Sequence, residues 1–274
     1  MAQSNVPVME AARAAYRFWR EAWRPTLGAL LLLAAAAALQ YYFTMTGRTG
    51  LGLLASLGAF AASMVAYGAL FRLAFADLRP EEAARTGPGG LQWGGMETRL
   101  LLAMLLVFLL AFVAMILFVF VFVIAIMVAA GGAAAGLEGA DSPQEVAEAL
   151  GPRGLITLGV VFLAAAVLAI WVSVRLVLVL PATAGSGKVQ VFETWRLTKG
   201  QFWRIFAAMI IASAPAILWS MFSGAVDGAM GEEGAREGTR VLPPAAAAVM
   251  AVLGGLVTGV LQAPLTAGLG AFLY

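Results

Sequence analysis

Residues 175–204 read RLVLVLPATAGSGKVQVFETWRLTKGQFWR, and they decide how the rest of the chain is read. The stretch holds five of the seventeen basic residues, two tryptophans, a proline and a glycine-rich turn, with Glu193 as its one acid. On either side lie long apolar runs. A basic, aromatic connector between two apolar runs is the pattern of a loop at a membrane surface, where Trp sits at headgroup depth and Arg or Lys faces lipid phosphate. Arg175 lies at the inner end of the preceding apolar run. There it either reaches out to the interface or takes a phosphate or carboxylate partner. Arg196, Lys199 and Arg204, with Trp195 and Trp203, are candidates for headgroup contact.

The composition agrees with a membrane protein. The chain is 62% hydrophobic and 12% charged, against about 45–50% and 25% for soluble domains. Its 274 residues are mostly consumed by spans of about 20 residues each. Because there is no Cys and no His, disulfides, thiolate chemistry, the commonest metal ligand and the usual neutral-pH base are all excluded. Richness in Ala, Arg and Gly with only two Lys points to a GC-rich bacterial genome.

Outward from the connector, six spans are expected, at about 26–43, 51–75, 99–130, 155–180, 201–221 and 243–274. The third exceeds the need of one crossing and predicts a long tilted helix. The arm VMEAARAAYRFWREAWR (8–24) is too charged to span. At 100° per residue, Arg13, Arg17, Arg20 and Arg24 form a stripe opposite Tyr16, Trp19 and Trp23, as in an interfacial amphipathic helix. At more than 20 residues, the arm is too long for the basic region of a signal peptide. Arg72 ends the second span, placed to snorkel. Trp93 and Arg99 flank the third as further anchors. GPGGLQWGG (87–95) lacks the spacing and lysine of a phosphate loop. Ser142, Pro143 and Glu145 open a short surface helix. Pro181 ends the fourth span, and from Lys188 to Thr198 a second amphipathic segment puts Val191, Phe192 and Trp195 on one face. Pro215 kinks the fifth span, and Gly255-x-x-x-Gly259 in the sixth is a small-residue face for close packing, within the bundle or between two copies.

The connections alternate in charge. Thirteen basic residues fall on the N-terminal arm and on the second and fourth connections, and four (Arg48, Arg153, Arg236 and Arg240) fall on the other three. The positive-inside rule then gives six spans with both termini cytoplasmic. YRFWREAWR (16–24) and WRLTKGQFWR (195–204) are alike, with a weaker middle copy at Trp93 and Arg99. This predicts three parallel two-helix repeats, although unrelated basic-aromatic flanks would look the same.

Arg175-x-x-Leu-x-Leu-Pro181, followed by Trp195-Arg196-Leu-Thr-Lys199-Gly200-x-Phe-Trp203-Arg204, resembles the hallmark of the glycerophosphoryl diester phosphodiesterase membrane-domain, or YciC-like, bacterial membrane proteins. YRFWREAWRPTLG and GLQWGGMETRLL resemble other segments of that group. The resemblance implies a six-span helical membrane module without hydrolytic activity, since in that family the phosphodiesterase is a separate domain. It carries over no catalytic residues.

Asp77, Glu81, Glu82, Glu97 and Glu193 show no metal-ligand spacing, so neither catalysis nor a cofactor is expected. Expected partners are anionic membrane lipids and a membrane protein or a second copy of the chain, with no nucleic acid. The expected location is the bacterial inner membrane. The alternative is a transporter of a small or lipidic solute. Its polar candidates are Gln262, Ser173 and Ser213, with helix breaks at Pro215 and Pro264.

Overall fold

The computed structural model describes residues 7–130, 143–230, 232–233 and 240–274. The protein is all-helical, and six of its helices are long and apolar enough to cross a membrane. They correspond to the six expected spans. Helix α1 is Val8–Ala22, α2 Leu27–Met45, α3 Thr49–Ala74, α4 Pro80–Ala83, α5 Gly95–Ala130 and α6 Pro143–Leu176. After these come α7 Val179–Ser186, α8 Glu193–Leu197, α9 Phe202–Met230, α10 Pro244–Leu256 and α11 Ala263–Leu273, with a π-helical turn, Val257–Gln262, joining the last two. A two-residue antiparallel ladder pairs Glu232–Glu233 with Arg240–Val241. The Ser142 cap and most of the acidic connections (131–142 and 234–239) lie outside the described residues.

The chain divides into two compact units, residues 1–103 with 177–274, and residues 104–176. The first unit is built on backbone-close packing of small residues. α2 buries Ala29, Leu30, Leu33, Ala34 and Ala37 between α3 and α10. Gly255 and Gly259 lie against this face. A Cβ on Gly255 would strike the Ala34 carbonyl, and one on Gly259 would come within 2.7 Å of the Ala34 nitrogen and the Leu30 oxygen. Lipid tails are as apolar as leucine, so helices in a bilayer gain from van der Waals contact at short range more than from hydrophobic burial. The Gly-x-x-x-Gly face is therefore spent inside this unit.

α1 also packs within the unit. Its Ala11 and Ala15 meet Ala208 and Ala212 of α9 and Leu265 and Leu269 of α11, with Val8, Trp19, Met209 and Leu273 around them. The arginine stripe points outward as expected, with Arg13, Arg17, Arg20 and Arg24 exposed. The aromatic side divides. Trp19 turns inward, and its Nε1 donates to the Val260 carbonyl at 2.9 Å. A π-turn displaces its carbonyls from the α-helical ladder, and Trp19 supplies one of them with a donor. Trp19 is thus a tertiary anchor within the protein and not a headgroup anchor.

Two local readings are corrected. Pro181 does not end a helix. It stands in the first turn of α7, where its missing N–H is not needed, and the chain turns three to four residues earlier, at Val177–Leu178. The segment from Lys188 is helical only over Glu193–Leu197, so Val191 and Phe192 precede the helix. Val191 is buried while Phe192 is 75% exposed, and they do not share a face with Trp195.

The second unit comprises α5 from Met104 onward and all of α6. Its side chains are overwhelmingly apolar and exposed, Phe108, Phe112, Phe120, Phe162 and Leu163 among them. Within residues 88–127, an 18-residue stretch reaches a mean hydropathy of 3.4 with none of it buried, the surface expected where lipid is the solvent. α6 breaks at Gly151 (φ 61°), next to Pro152. This separates the short expected helix opened by Pro143 from the span that follows.

Candidate functional site

The polar chemistry of the first unit gathers at one end. α2 starts there, α3 finishes there, and the 76–94 and 177–200 connections meet there. Arg79 Nε donates to the Gly185 carbonyl at 3.0 Å, and Arg99 Nη1 donates to the Gly187 carbonyl at 3.2 Å. Both arginines also pair with Glu82 Oε1, at 3.4 and 3.1 Å. Gly187 caps α7 in the left-handed region (φ 68°), and a Cβ there would fall onto the Arg79 guanidinium. The C-terminal Tyr274 closes the same end, its ring 5.8 Å from that of Phe75.

Beneath this cluster, Arg72 and Glu97 form a buried ion pair, their side chains 2% and 0% exposed. Nη2 of Arg72 donates to Oε1 of Glu97. The Gly94 N–H donates to Oε2 at 2.9 Å. Gly68, one turn before Arg72 on α3, makes the room: a Cβ there would fall onto the Glu97 carboxylate. The expectation that Arg72 snorkels is corrected. Its partner lies within the protein, at the start of the next long helix, so the guanidinium has no need to reach out. An ion pair this dry contributes little net stability, but deleting one member leaves a bare buried charge. The pair's Nη1 has no hydrogen-bond partner. A cleft of about 210 Å³ is walled in part by Arg72.

The other basic and aromatic candidates are spread over the surface of their units. The Arg24 guanidinium sits over the Trp23 ring, 5.3 Å from its centroid, and both are exposed. Trp93 is half exposed, and Trp203 is 75% exposed beside exposed Arg204. Arg196 pairs with Glu193 across one helical turn at the surface. Lys199 is exposed and Trp195 half-buried. Arg175 belongs to the second unit, where its guanidinium stacks on Trp171 at 5.3 Å; a cation over an indole face is favourable in its own right.

A second polar group crosses the first unit at the π-turn. Gln262 Nε2 donates to Ser213 Oγ at 3.3 Å and to Thr266 Oγ1 at 3.0 Å. A side-chain hydrogen bond links Thr266 to Tyr67. Gln262 Oε1 is buried without a partner. Gln262 and Ser213, singled out separately in the sequence, are thus brought together; Thr266 and Tyr67 were not foreseen. Ser173 lies in the second unit and takes no part.

Among the described residues no cluster of acidic side chains could hold a metal ion. The arrangement offers charge, hydrogen bonds and aromatic faces. No family model, curated protein or solved structure matches this chain.

Proposed function

We propose that this chain is a non-catalytic, multi-pass module of a bacterial inner membrane, with both termini cytoplasmic, that engages anionic lipid headgroups. The carrying observation is the set of exposed basic and aromatic side chains, Arg24 with Trp23 and Lys199 and Arg204 with Trp203, which enter none of the ion pairs among the described residues. Arginine offers a planar fork to phosphate, and the indole rests at the depth of the glycerol backbone. Termini and basic connections sharing one end of the first unit support an even number of crossings with the basic end inward. A membrane protein partner or a second copy of the chain would bind against the same exposed side chains. The resemblance of residues 175–206 to the phosphodiesterase membrane-domain proteins belongs to this proposal. Native mass spectrometry tests it. The Lys199→Ala, Trp203→Ala, Arg204→Ala triple variant retains fewer anionic lipids than the parent, and a number equal to the parent's refutes the reading.

One observation favours a second reading, transport of a small or lipidic solute. Tyr67, Thr266, Gln262 and Ser213 form a polar string beside a π-turn, and Gln262 keeps a free acceptor. π-turns recur at functional sites. Neither of the two best-defined clefts is lined by Gln262. Flux in reconstituted vesicles that Gln262→Leu abolishes supports transport; absence of flux removes it.

A further inference from the structure

The cleft beside Arg72 combines features that point to one kind of ligand. Its wall includes Pro25, Thr26, Ala69, Arg72, Leu73 and Ala76, at the end of the first unit where α2 begins and α3 finishes. At about 210 Å³ it has room for roughly seven waters at liquid density, enough for a headgroup fragment and not for a whole lipid. Its one side chain with a free donor is Arg72. The Thr26 hydroxyl donates to the Ala22 carbonyl at 2.7 Å, and that of Thr86, also in the lining, to the Ala83 carbonyl at 2.8 Å. Glu97 is fully engaged, one oxygen with Arg72 and the other with the Gly94 N–H. Nη1 of Arg72 is therefore a buried charged donor lacking an acceptor, a condition that native structures seldom leave uncompensated.

The complement is a single anionic oxygen carried on an apolar body. Inorganic phosphate is poorly served, because its several oxygens each need a donor and the hydroxyls of Thr26 and Thr86, the other polar side chains of the wall, already donate to backbone carbonyls. A phospholipid fits both parts. One phosphate oxygen accepts from Nη1, and the glycerol backbone and first methylenes lie along Ala69, Leu73 and Ala76. Glu97 neutralises Arg72, so further positive charge at the mouth is needed. Exposed Arg24 and Arg85 adjoin the lining residues Pro25 and Thr86 in the chain.

We propose that this cleft is a phospholipid headgroup site in which Nη1 of Arg72 donates to one phosphate oxygen. The proposal rests on the lipid-binding reading above but assigns a single specific site, distinct from the exposed basic side chains. The test uses the full chain in non-ionic detergent, with phosphatidylglycerol as probe and native mass spectrometry as readout. Three variants are compared: Arg72→Met with Glu97→Leu, which removes the pair together and leaves no bare charge; Ala76→Phe, which fills the cleft and leaves the pair alone; and Arg196→Ala, Lys199→Ala, Arg204→Ala at the surface. Circular dichroism confirms helix content. The expected result is one lipid that survives collisional activation in the parent and in the surface variant, and whose affinity falls about tenfold or more in both cleft variants. If the tight lipid persists in both cleft variants, the site is overturned while the surface reading stands. If the parent retains no lipid, both fall. Arg72-dependent binding of inorganic phosphate or glycerol 3-phosphate as strong as that of the lipid overturns the amphiphile assignment in favour of a free phosphate site.

Discussion

Substituting Gly68 by Ala should destabilise this protein, although in a helix interior the change ordinarily stabilises by about 1 kcal/mol. The reason is the neighbour. The added methyl would fall onto Oε1 of Glu97, and Cδ and Cγ of the same side chain would lie 2.7 and 2.9 Å away. Glu97 cannot yield cheaply, since Arg72 and the Gly94 N–H hold its two oxygens. Displacing the carboxylate leaves the Arg72 guanidinium buried and unpaired, which costs about 3–5 kcal/mol. Subtracting the helix-propensity gain leaves a net loss of about 2–4 kcal/mol. In an Arg72→Met, Glu97→Ala background the obstacle is gone, and the same substitution should be neutral or stabilise by up to about 1 kcal/mol. The coupling between position 68 and the pair is thus about 3–5 kcal/mol. Reversible unfolding by SDS titration in mixed micelles, followed by circular dichroism, measures all four corners of the cycle. If Gly68→Ala has the same effect in both backgrounds, the ion pair does not occupy the groove that Gly68 leaves.

Three further outcomes follow from the same geometry. Gly259→Ala pushes a methyl into the Ala34 backbone and should cost about 1–3 kcal/mol of overpacking, read by the same titration; a changed oligomeric mass with unchanged stability would instead make this a face between copies. Trp19→Phe keeps the ring and removes the donor to Val260, so it should cost about 1–3 kcal/mol, with faster amide exchange in the π-turn as the accompanying sign. Arg196→Ala breaks a surface pair whose arginine is 81% exposed and should shift stability by no more than about 0.5 kcal/mol, so any loss of lipid retention in that variant reads binding and not folding.

The spans were legible because each is a run of apolar residues long enough to cross a bilayer, and nothing but lipid or a core accommodates that. The Gly255-x-x-x-Gly259 face was legible as a packing surface because only small residues admit another backbone. Arg72 was misread for a definite reason. A lone arginine at the end of a span suggests snorkelling, and its partner lies 25 positions away, across a connection with no regular period. The available signal was positional: Arg72 closes one span, and Glu97 opens the next at the same end. Trp19 was assigned to the headgroups because its spacing matches that of Tyr16 and Trp23. Nothing in the arm announces the free carbonyl of a π-turn some 241 residues on.

The sequence by itself determined the class of this protein, the number of its helices long and apolar enough to cross a membrane and the uneven placement of its basic residues, since hydropathy and charge act locally and need no partner to be read. Tertiary structure alone decided what those residues are paired with. It buried Arg72 against Glu97 in a groove opened by Gly68, turned Trp19 inward, joined Gln262 to Ser213, Thr266 and Tyr67, and left Nη1 of Arg72 buried without an acceptor. Such pairings depend on which helix faces meet, and that is settled by close packing between distant segments and not by the composition of either one.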